Sequence, residues 1–459
     1  MPQRIRSTCV LGLGQSGIAA ARQALADGDD VVIYAGRESE ATRSAAREFA
    51  DAGIRVVFDD ECPHGPFDLC VVCPGIPATG AFYRNALAAS AELIGEPEYA
   101  WRHSPHGWLA VTGTNGKTTT ATLLAHILRS CGMPALLCGN TQATTATQTV
   151  ATRRPEQPIV AELSSFQLAS TRAFSPRVGC LLNITSDHIA WHGSRAAYAE
   201  AKLALFSHME PGSCAVVTDE VEREFAVADS LRARGVRVVT VGQRRAADCA
   251  YADADGTLVL VDACGDAQAL CSADALQIRG AHNVCNALVA ASAAADYGCE
   301  PAAIAAALAA FAPLAHRMQP VGSVAGVTFY DDSKATNVDA TLKALTAFAE
   351  VPVVLMLGGR DKGTDLSALV EAARRCCRAV VAYGEGGQRF HDAFAGSGLE
   401  CALEAGMADA FARACALAQP GDAVLLSPAC ASFDEFSGFD ERGRVFGELV
   451  AARRAETCA

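Results

Sequence analysis

A chain of 459 residues exceeds the size at which one hydrophobic core keeps growing, so three domains of ordinary size are expected. Its net charge of −13 at pH 7 argues against a nucleic-acid partner and an anionic membrane surface, since both reward an excess of Lys and Arg. The 19 cysteines are odd in number and scattered through apolar segments without paired zinc spacing, which points to buried, reduced thiols in a cytoplasmic protein.

The chain opens on two arginines and a short apolar run, not the long apolar segment of a secretion signal. Cys9–Leu13 reads as a strand entering the turn Gly12-x-Gly14-x-x-Gly17, and 18–26 reads as a helix. Val31–Tyr34 and Leu69–Val72 supply further strands, predicting a small Rossmann-type sheet in the first hundred residues. The glycine turn is a complete dinucleotide-type fingerprint. Yet Tyr34-Ala35-Gly36 lacks the acid expected about 20 residues on for a ribose hydroxyl, which disfavours a nicotinamide cofactor. A nucleotide diphosphate such as UDP, or a purely structural strand-to-helix turn, both remain open.

Residues 102–107 read as a linker, after which Trp108–Val111 runs as a strand into Thr112-Gly-Thr-Asn-Gly-Lys-Thr-Thr119 and a helix to about Arg129. Consecutive N–H groups at a helix N-terminus cradle phosphates, Lys117 neutralises them, and a threonine hydroxyl can hold Mg²⁺. The loop is a short form: Val111 stands where the longer phosphate-loop pattern has its first glycine. The strand Ile159–Ala161 ends at Glu162, where a parallel sheet delivers either a Mg²⁺ ligand or a solvated carboxylate. Val178–Leu182 leads to His188 at the same edge, and Lys202 on the next helix reads, taken alone, as a surface lysine. The alanine-rich stretch 302–315 is interrupted by Pro313 and shorter than the roughly 18–20 residues of a membrane span, so no membrane insertion is expected. Helices over 283–310 and Pro313 close this second domain. In the third, Val327–Tyr330 precedes the polar run Asp331–Asn337, and strands at Val353–Leu357, Ala379–Ala382 and Ala423–Leu426 alternate with helices, predicting another parallel sheet. The last strand enters a small-residue loop, Ser427–Ser432, with backbone N–H groups to offer; taken singly, each of these loops reads as structural.

Together and in this order, TGTNGKTT (112–119), ELSSFQL (162–168), NITSDH (183–188), GAHNVCNA (280–287), HR (316–317), DDSKATN (331–337) and SPACASFDEF (427–436) resemble the Mur ligases over nearly the whole chain. The last two segments are most similar to those of the D-glutamate-adding members. The resemblance implies an α/β fold of three domains: an N-terminal Rossmann-like domain for the UDP-substrate (1–103), a central P-loop ATPase-like domain (104–313) and a C-terminal Rossmann-like domain that brings the amino acid (314–459). It implies an ADP-forming amide ligase that joins D-glutamate to UDP-N-acetylmuramoyl-L-alanine through an acyl phosphate, in cytoplasmic peptidoglycan precursor synthesis. A monomer with small-molecule partners only is expected.

By motif position the resemblance assigns Gly113, Thr114, Asn115, Gly116, Lys117, Thr118, Thr119, Asn283, Asn286, Arg317 and Asp332 to ATP. Two Mg²⁺ ions fall to Thr118, Glu162, His188 and a carbamylated Lys202; Lys117, Glu162, His188 and Lys202 form the catalytic set. Ser16, Arg37, Asn140 and Ser164 go with the UDP-sugar, and Lys334, Thr336, Ser432, Phe433 and Phe439 with D-glutamate. The chain departs from the family pattern at Ala35, where an acid is common, at Thr141-Gln142-Ala143, where glycines usually follow, and at Phe433, often a leucine. Another Mur-type ligase, including one that takes L-glutamate, is the nearest alternative reading, ahead of a folylpolyglutamate synthase. A nicotinamide-dependent oxidoreductase would leave the 112–119 loop idle, and a non-catalytic nucleotide switch would leave the C-terminal loops without a task.

Overall fold

In the computed structural model, which describes residues 5–141, 144–278, 280–348, 351–361 and 363–458, the chain forms three sheets. Two compact units result: Met1–Ala275 with Cys285–Ala310, carrying the first two sheets, and Leu276–Val284 with Phe311–Ala459, carrying the third.

The first sheet holds β1 (Ser7–Leu11), β2 (Asp30–Gly36), β3 (Arg55–Phe58), β4 (Leu69–Val72) and β5 (Leu93–Gly95) in the order β3-β2-β1-β4-β5, all pairs parallel. Val10, Ile33 and Val71 pack beneath the helices Gln15–Ala26 and Glu40–Asp51, while Cys9, Tyr34 and Cys70 face helix Ala81–Ala88. Burial of both faces explains the unbroken apolar runs. β1 occupies 7–11 rather than the expected 9–13. It must end at Leu11 because Gly12 turns to φ 92°, and its polar start is satisfied by Asp68 on the Ser7 amide at 2.9 Å and Asp29 on the Thr8 hydroxyl at 2.6 Å. The linker expected at 102–107 is shorter: Arg102 and His103 complete helix Glu96–His103, where Arg102 donates to Glu98 one turn back at 3.0 Å and to Glu92 at 2.7 Å.

The second sheet comprises β6 (Trp108–Thr112), β7 (Leu136–Gly139), β8 (Ile159–Glu162), β9 (Val178–Leu181), β10 (Cys214–Thr218), β11 (Arg237–Val241), β12 (Cys249–Ala252), β13 (Thr257–Val261) and β14 (Ala267–Ser272). Their order is β14-β13-β12-β11-β10-β9-β6-β8-β7. β6 is therefore an interior strand between β8 and β9, parallel to both, and carries the 112–119 loop away from the sheet edge. The antiparallel extension β12–β14 was not expected from the sequence, although Asp255-Gly256, with Gly256 at φ 78°, is a hairpin signal.

The second unit contains β15 (Gln319–Val324), β16 (Val327–Asp331), β17 (Val353–Gly358), β18 (Cys377–Tyr383), β19 (Glu400–Glu404) and β20 (Ala423–Ala429), ordered β15-β16-β20-β17-β18-β19. The sheet is not wholly parallel as expected. β15 pairs antiparallel with β16 because Ala325 and Gly326 both take positive φ, 51° and 79°, the signature of a two-residue hairpin turn.

Among the described residues no helix is long and apolar enough to cross a membrane. Cys9, Cys70, Cys138 and Cys180 are buried free thiols as expected, but Cys62 and Cys264 are exposed on loops.

Candidate active site

The loop after β6 depends on two glycines. Gly116 takes a left-handed φ of 85°, and a β-carbon there would lie 2.5 Å from the Asn286 side-chain oxygen; one at Gly113 would lie 2.9 Å from Leu182. The chain then enters helix Lys117–Ser130, so the loop ends at a helix N-terminus, the place where backbone N–H groups can hold an anion. The Lys117 ammonium folds back over the loop, donating to the carbonyls of Gly113 and Thr114 at 2.9 Å each. A neighbouring segment braces it: the Thr114 amide donates to the Asn183 carbonyl and the Asn115 amide to the Asn183 side chain, both at 2.9 Å. The Thr114 and Tyr198 hydroxyls lie 2.8 Å apart. Tyr198 was not identified from the sequence, though it stands one helical turn before Lys202.

Lys202 is not a surface lysine. It is 1 % exposed, donates to the Gly113 carbonyl at 2.7 Å and lies 4.8 Å from the Tyr198 ring centre. Burial pushes its pKa well below the ordinary lysine range, the Lys117 charge pushes the same way, and Asp187 and Glu162 oppose. Glu162, at the end of β8, is also buried; one carboxylate oxygen accepts from Asn140 at 3.0 Å and the other has no hydrogen-bond partner among the described residues. Thr118 is half-buried on the first turn of the loop's helix, Thr119 buried beside it.

His188 is exposed and left-handed, at φ 53°, and packs edge-on against Phe166 with ring centres 4.8 Å apart. His192, which the sequence reading passed over, is buried with Nε2 2.9 Å from the Ser165 hydroxyl. Burial, with lesser contributions from His188 and Lys202, pushes it down to about 4, so it is neutral near pH 7. Among the described residues no three His, Cys, Asp or Glu side chains gather as a metal site.

In the first domain a β-carbon at Gly17 would strike the Gly12 carbonyl at 2.1 Å, so that glycine permits the helix to start against the strand. Ser16 is half-buried on that first helical turn and Arg37 exposed just past β2. Ala35 is buried within β2. Asn140 follows the left-handed Gly139, and its amide donates to the Glu162 carbonyl at 2.8 Å, tying a residue assigned to the sugar to one assigned to the metal. Ser164 caps helix Ser165–Leu168, accepting from the Gln167 amide at 3.2 Å. Of the departures after Asn140, Gln142 and Ala143 lie outside the described residues.

Asn283 and Asn286 are both buried on helix Ala281–Asp296, one turn apart. In the second unit, buried Asp331 accepts from His316 Nδ1 at 2.7 Å and from the Ser333 amide at 2.8 Å. Asp332 accepts from the Ser427 hydroxyl at 2.7 Å, joining the two C-terminal loops, and from the Met318 amide at 3.2 Å; Arg317 stands nearby. Lys334 holds its ammonium 3.6 Å from the Phe439 ring centre, so these two assigned residues meet. Thr336 is half-buried and Ser432 buried, whereas Phe433 is 62 % exposed.

Burial pushes Asp332 up to about 7, against an ordinary value of 3.8. Between these values the folded chain keeps a proton that the unfolded chain has released. Asp332 therefore contributes stability that is fully present below about pH 4 and is lost as pH rises through 7. Urea unfolding between pH 4.5 and 7.5 is expected to show a decline that is absent in Asp332→Asn; parallel profiles in the two proteins would refute this role.

The chain is similar to known proteins over nearly its whole length. Residues 111–294 match the Mur ligase middle domain, and 316–430 match the Mur ligase glutamate ligase domain. A relative from Pelotomaculum thermopropionicum, UDP-N-acetylmuramoylalanine--D-glutamate ligase, is 36 % identical over 448 residues, covering 97 % of both chains. Among solved structures, MurF from Acinetobacter baumannii superposes with a TM-score of 0.63 at 18 % identity over 97 % of this chain and 93 % of that one. MurF ligase from Thermotoga maritima in complex with ADP gives 0.57 at 16 % identity over 86 % and 96 %. At such identities the structures speak to the fold alone.

Proposed function

This chain belongs to the Mur ligase family, and from that premise we propose that it joins D-glutamate to UDP-N-acetylmuramoyl-L-alanine with ATP, releasing ADP and phosphate. The observation that carries this reading is the convergence on the 112–119 loop of Lys117, the buried Lys202 and a buried Glu162 oxygen that has no donor among the described residues. We place the domains at 1–103, 104–313 and 314–459, with a monomer working in the cytoplasm.

A carboxylate and an amine do not condense unaided in water, so the alanine carboxylate attacks the ATP γ-phosphorus, forming an acyl phosphate and releasing ADP. The neutral D-glutamate amine then attacks the acyl carbon, phosphate leaves, and the nitrogen gives up one of its two protons and keeps the other as the amide N–H. Lys117 offsets negative charge in the first step, and the amides after Gly116 orient the phosphates. Asn283, Asn286, Arg317 and Asp332 are assigned to ATP; Ser16, Arg37, Asn140 and Ser164 to the UDP-sugar. Glu162, Thr118, His188 and the carbamate of Lys202 would hold Mg²⁺, which supplies charge neutralisation of the phosphates when bound. The donor set fits on one condition: an ammonium at Lys202 would repel a cation, whereas a carbamate offers it oxygens.

On this reading amino-acid choice belongs to Lys334, Thr336, Ser432, Phe433 and Phe439, since a small dicarboxylate must be selected by a cation and by hydroxyl or N–H donors. ADP release is expected only when UDP-N-acetylmuramoyl-L-alanine and D-glutamate are both present, with L-glutamate far slower because inversion misplaces the amine. Lys334→Ala should raise the D-glutamate KM at least ~10-fold and move the ATP KM much less. Equal use of L-glutamate, or a Lys334→Ala defect confined to ATP, would show the amino-acid site to be elsewhere.

A further inference from the structure

We propose that Arg442 is a positioning residue for the amino-acid site, its guanidinium holding both C-terminal loops in one fixed geometry; this rests on the assignment of those loops to the amino acid. Arg442 is fully buried, and among the described residues no carboxylate hydrogen-bonds to it; Glu435 acts on it through charge alone. Its two terminal nitrogens donate to backbone carbonyls of three separate segments, Ser333 at 2.8 Å, Cys430 at 3.0 Å and Gly358 at 3.4 Å, while Nε has no hydrogen-bond partner among the described residues. Ser333 immediately precedes Lys334, and Cys430 lies two residues before Ser432. A buried cation with no hydrogen-bonded counter-ion is costly, and a planar group whose terminal N–H donors face several carbonyls offsets part of that cost.

Two further features place the same helical turn behind both loops. Phe439, three residues before Arg442 at the start of helix Phe439–Cys458, carries the ring under the Lys334 ammonium at 3.6 Å. Gly443, the next residue, sits so close that a β-carbon would lie 2.1 Å from His316 Nδ1, 2.4 Å from an Asp331 carboxylate oxygen and 2.5 Å from the Ser333 hydroxyl. One turn therefore supplies a ring beneath the lysine, a clamp on the two loop backbones and a close approach that admits no side chain. The loop so clamped is also strained: Ala429, just before Cys430, holds a left-handed φ of 60° without being glycine, which persists only where surrounding contacts over-determine it. Lysine, a single ammonium on a flexible stem, cannot span three diverging carbonyls.

The test uses the full-length enzyme, beginning with the unmutated protein assayed against D-glutamate, L-glutamate and other amino acids with ADP release as readout. Should another amino acid be preferred, the D-glutamate reading fails, and Arg442 is judged on the KM of that amino acid instead. Arg442→Ala is expected to raise the amino-acid KM ~10-fold or more while the ATP KM stays within about 2-fold. Millimolar guanidinium or methylguanidinium should restore it, urea should not, and Arg442→Lys should not replace it. Gly443→Ala, which keeps the guanidinium but displaces the helix start, should show the same KM pattern if the alanine variant at 442 does not fold. An amino-acid KM unchanged in either folded variant, or a loss shared equally by all three substrates without guanidinium rescue, would reduce Arg442 to a scaffold residue.

Discussion

Lys117→Ala is expected to lower ATP-dependent ligation by ~10³-fold or more while the protein remains folded. The ammonium is half-buried and makes two hydrogen bonds to carbonyls of its own loop, charged contacts of a kind worth about 1.5–3 kcal/mol each. The conformation of the loop rests on other features, namely the torsions at Gly113 and Gly116 and the bonds from Asn183, all of which survive the substitution. On the proposed reading, what disappears is the cation facing the phosphates as negative charge moves from the γ-phosphate to the leaving ADP. Single-turnover ADP formation, with circular dichroism and thermal unfolding as controls, separates the two effects. Near-normal ligation by a folded Lys117→Ala protein would remove the phosphate role from this residue.

Lys202→Ala should lose at least ~10²-fold in turnover and recover part of it when acetate or formate is supplied, because a short carboxylate can occupy the place proposed for a carbamate. The side chain is enclosed between the Gly113 carbonyl and the Tyr198 ring, an enclosure that disfavours the ammonium and so favours the neutral amine that reacts with CO₂. Addition of that amine to CO₂ forms one N–C bond, releases one proton and reverses the charge beside Glu162. Lys202→Arg should not restore activity, since guanidinium keeps the positive charge and does not carbamylate. Equilibration with ¹³C-bicarbonate should give a carbamate resonance in the unmutated protein that Lys202→Ala lacks. A fully active alanine variant would return the residue to a packing role.

Much of this molecule was legible in the sequence wherever a local stretch makes a demand that few residues meet. Gly116 must go left-handed beside Asn286, Gly17 must admit the Gly12 carbonyl, and unbroken apolar runs such as Trp108–Val111 require strands covered on both faces. From these the three α/β domains and the phosphate loop follow, because backbone torsion and strand burial are properties of a few consecutive residues. Where neighbours in sequence decide little, the reading was incomplete: the 102–107 linker lost two residues to a helix held by Glu98 and Glu92, and β12–β14 added an antiparallel edge.

Residue character was another matter. Nothing in Glu200-Ala201-Lys202-Leu203 distinguishes a buried lysine from a solvated one; segments 89 residues apart in the chain make that choice by placing Gly113 against it. Likewise Asp332 is raised to about 7 by residues folded around it, His192 is neutral because it is enclosed, and Arg442 clamps carbonyls as far as 109 residues away. The sequence by itself determined the fold class and the strand–turn–helix around residues 112–119, since both rest on local torsions and periodicity. Only the tertiary structure decided which charges are buried and whom they face, since desolvation and Coulomb energies depend on distances that close when remote segments pack together.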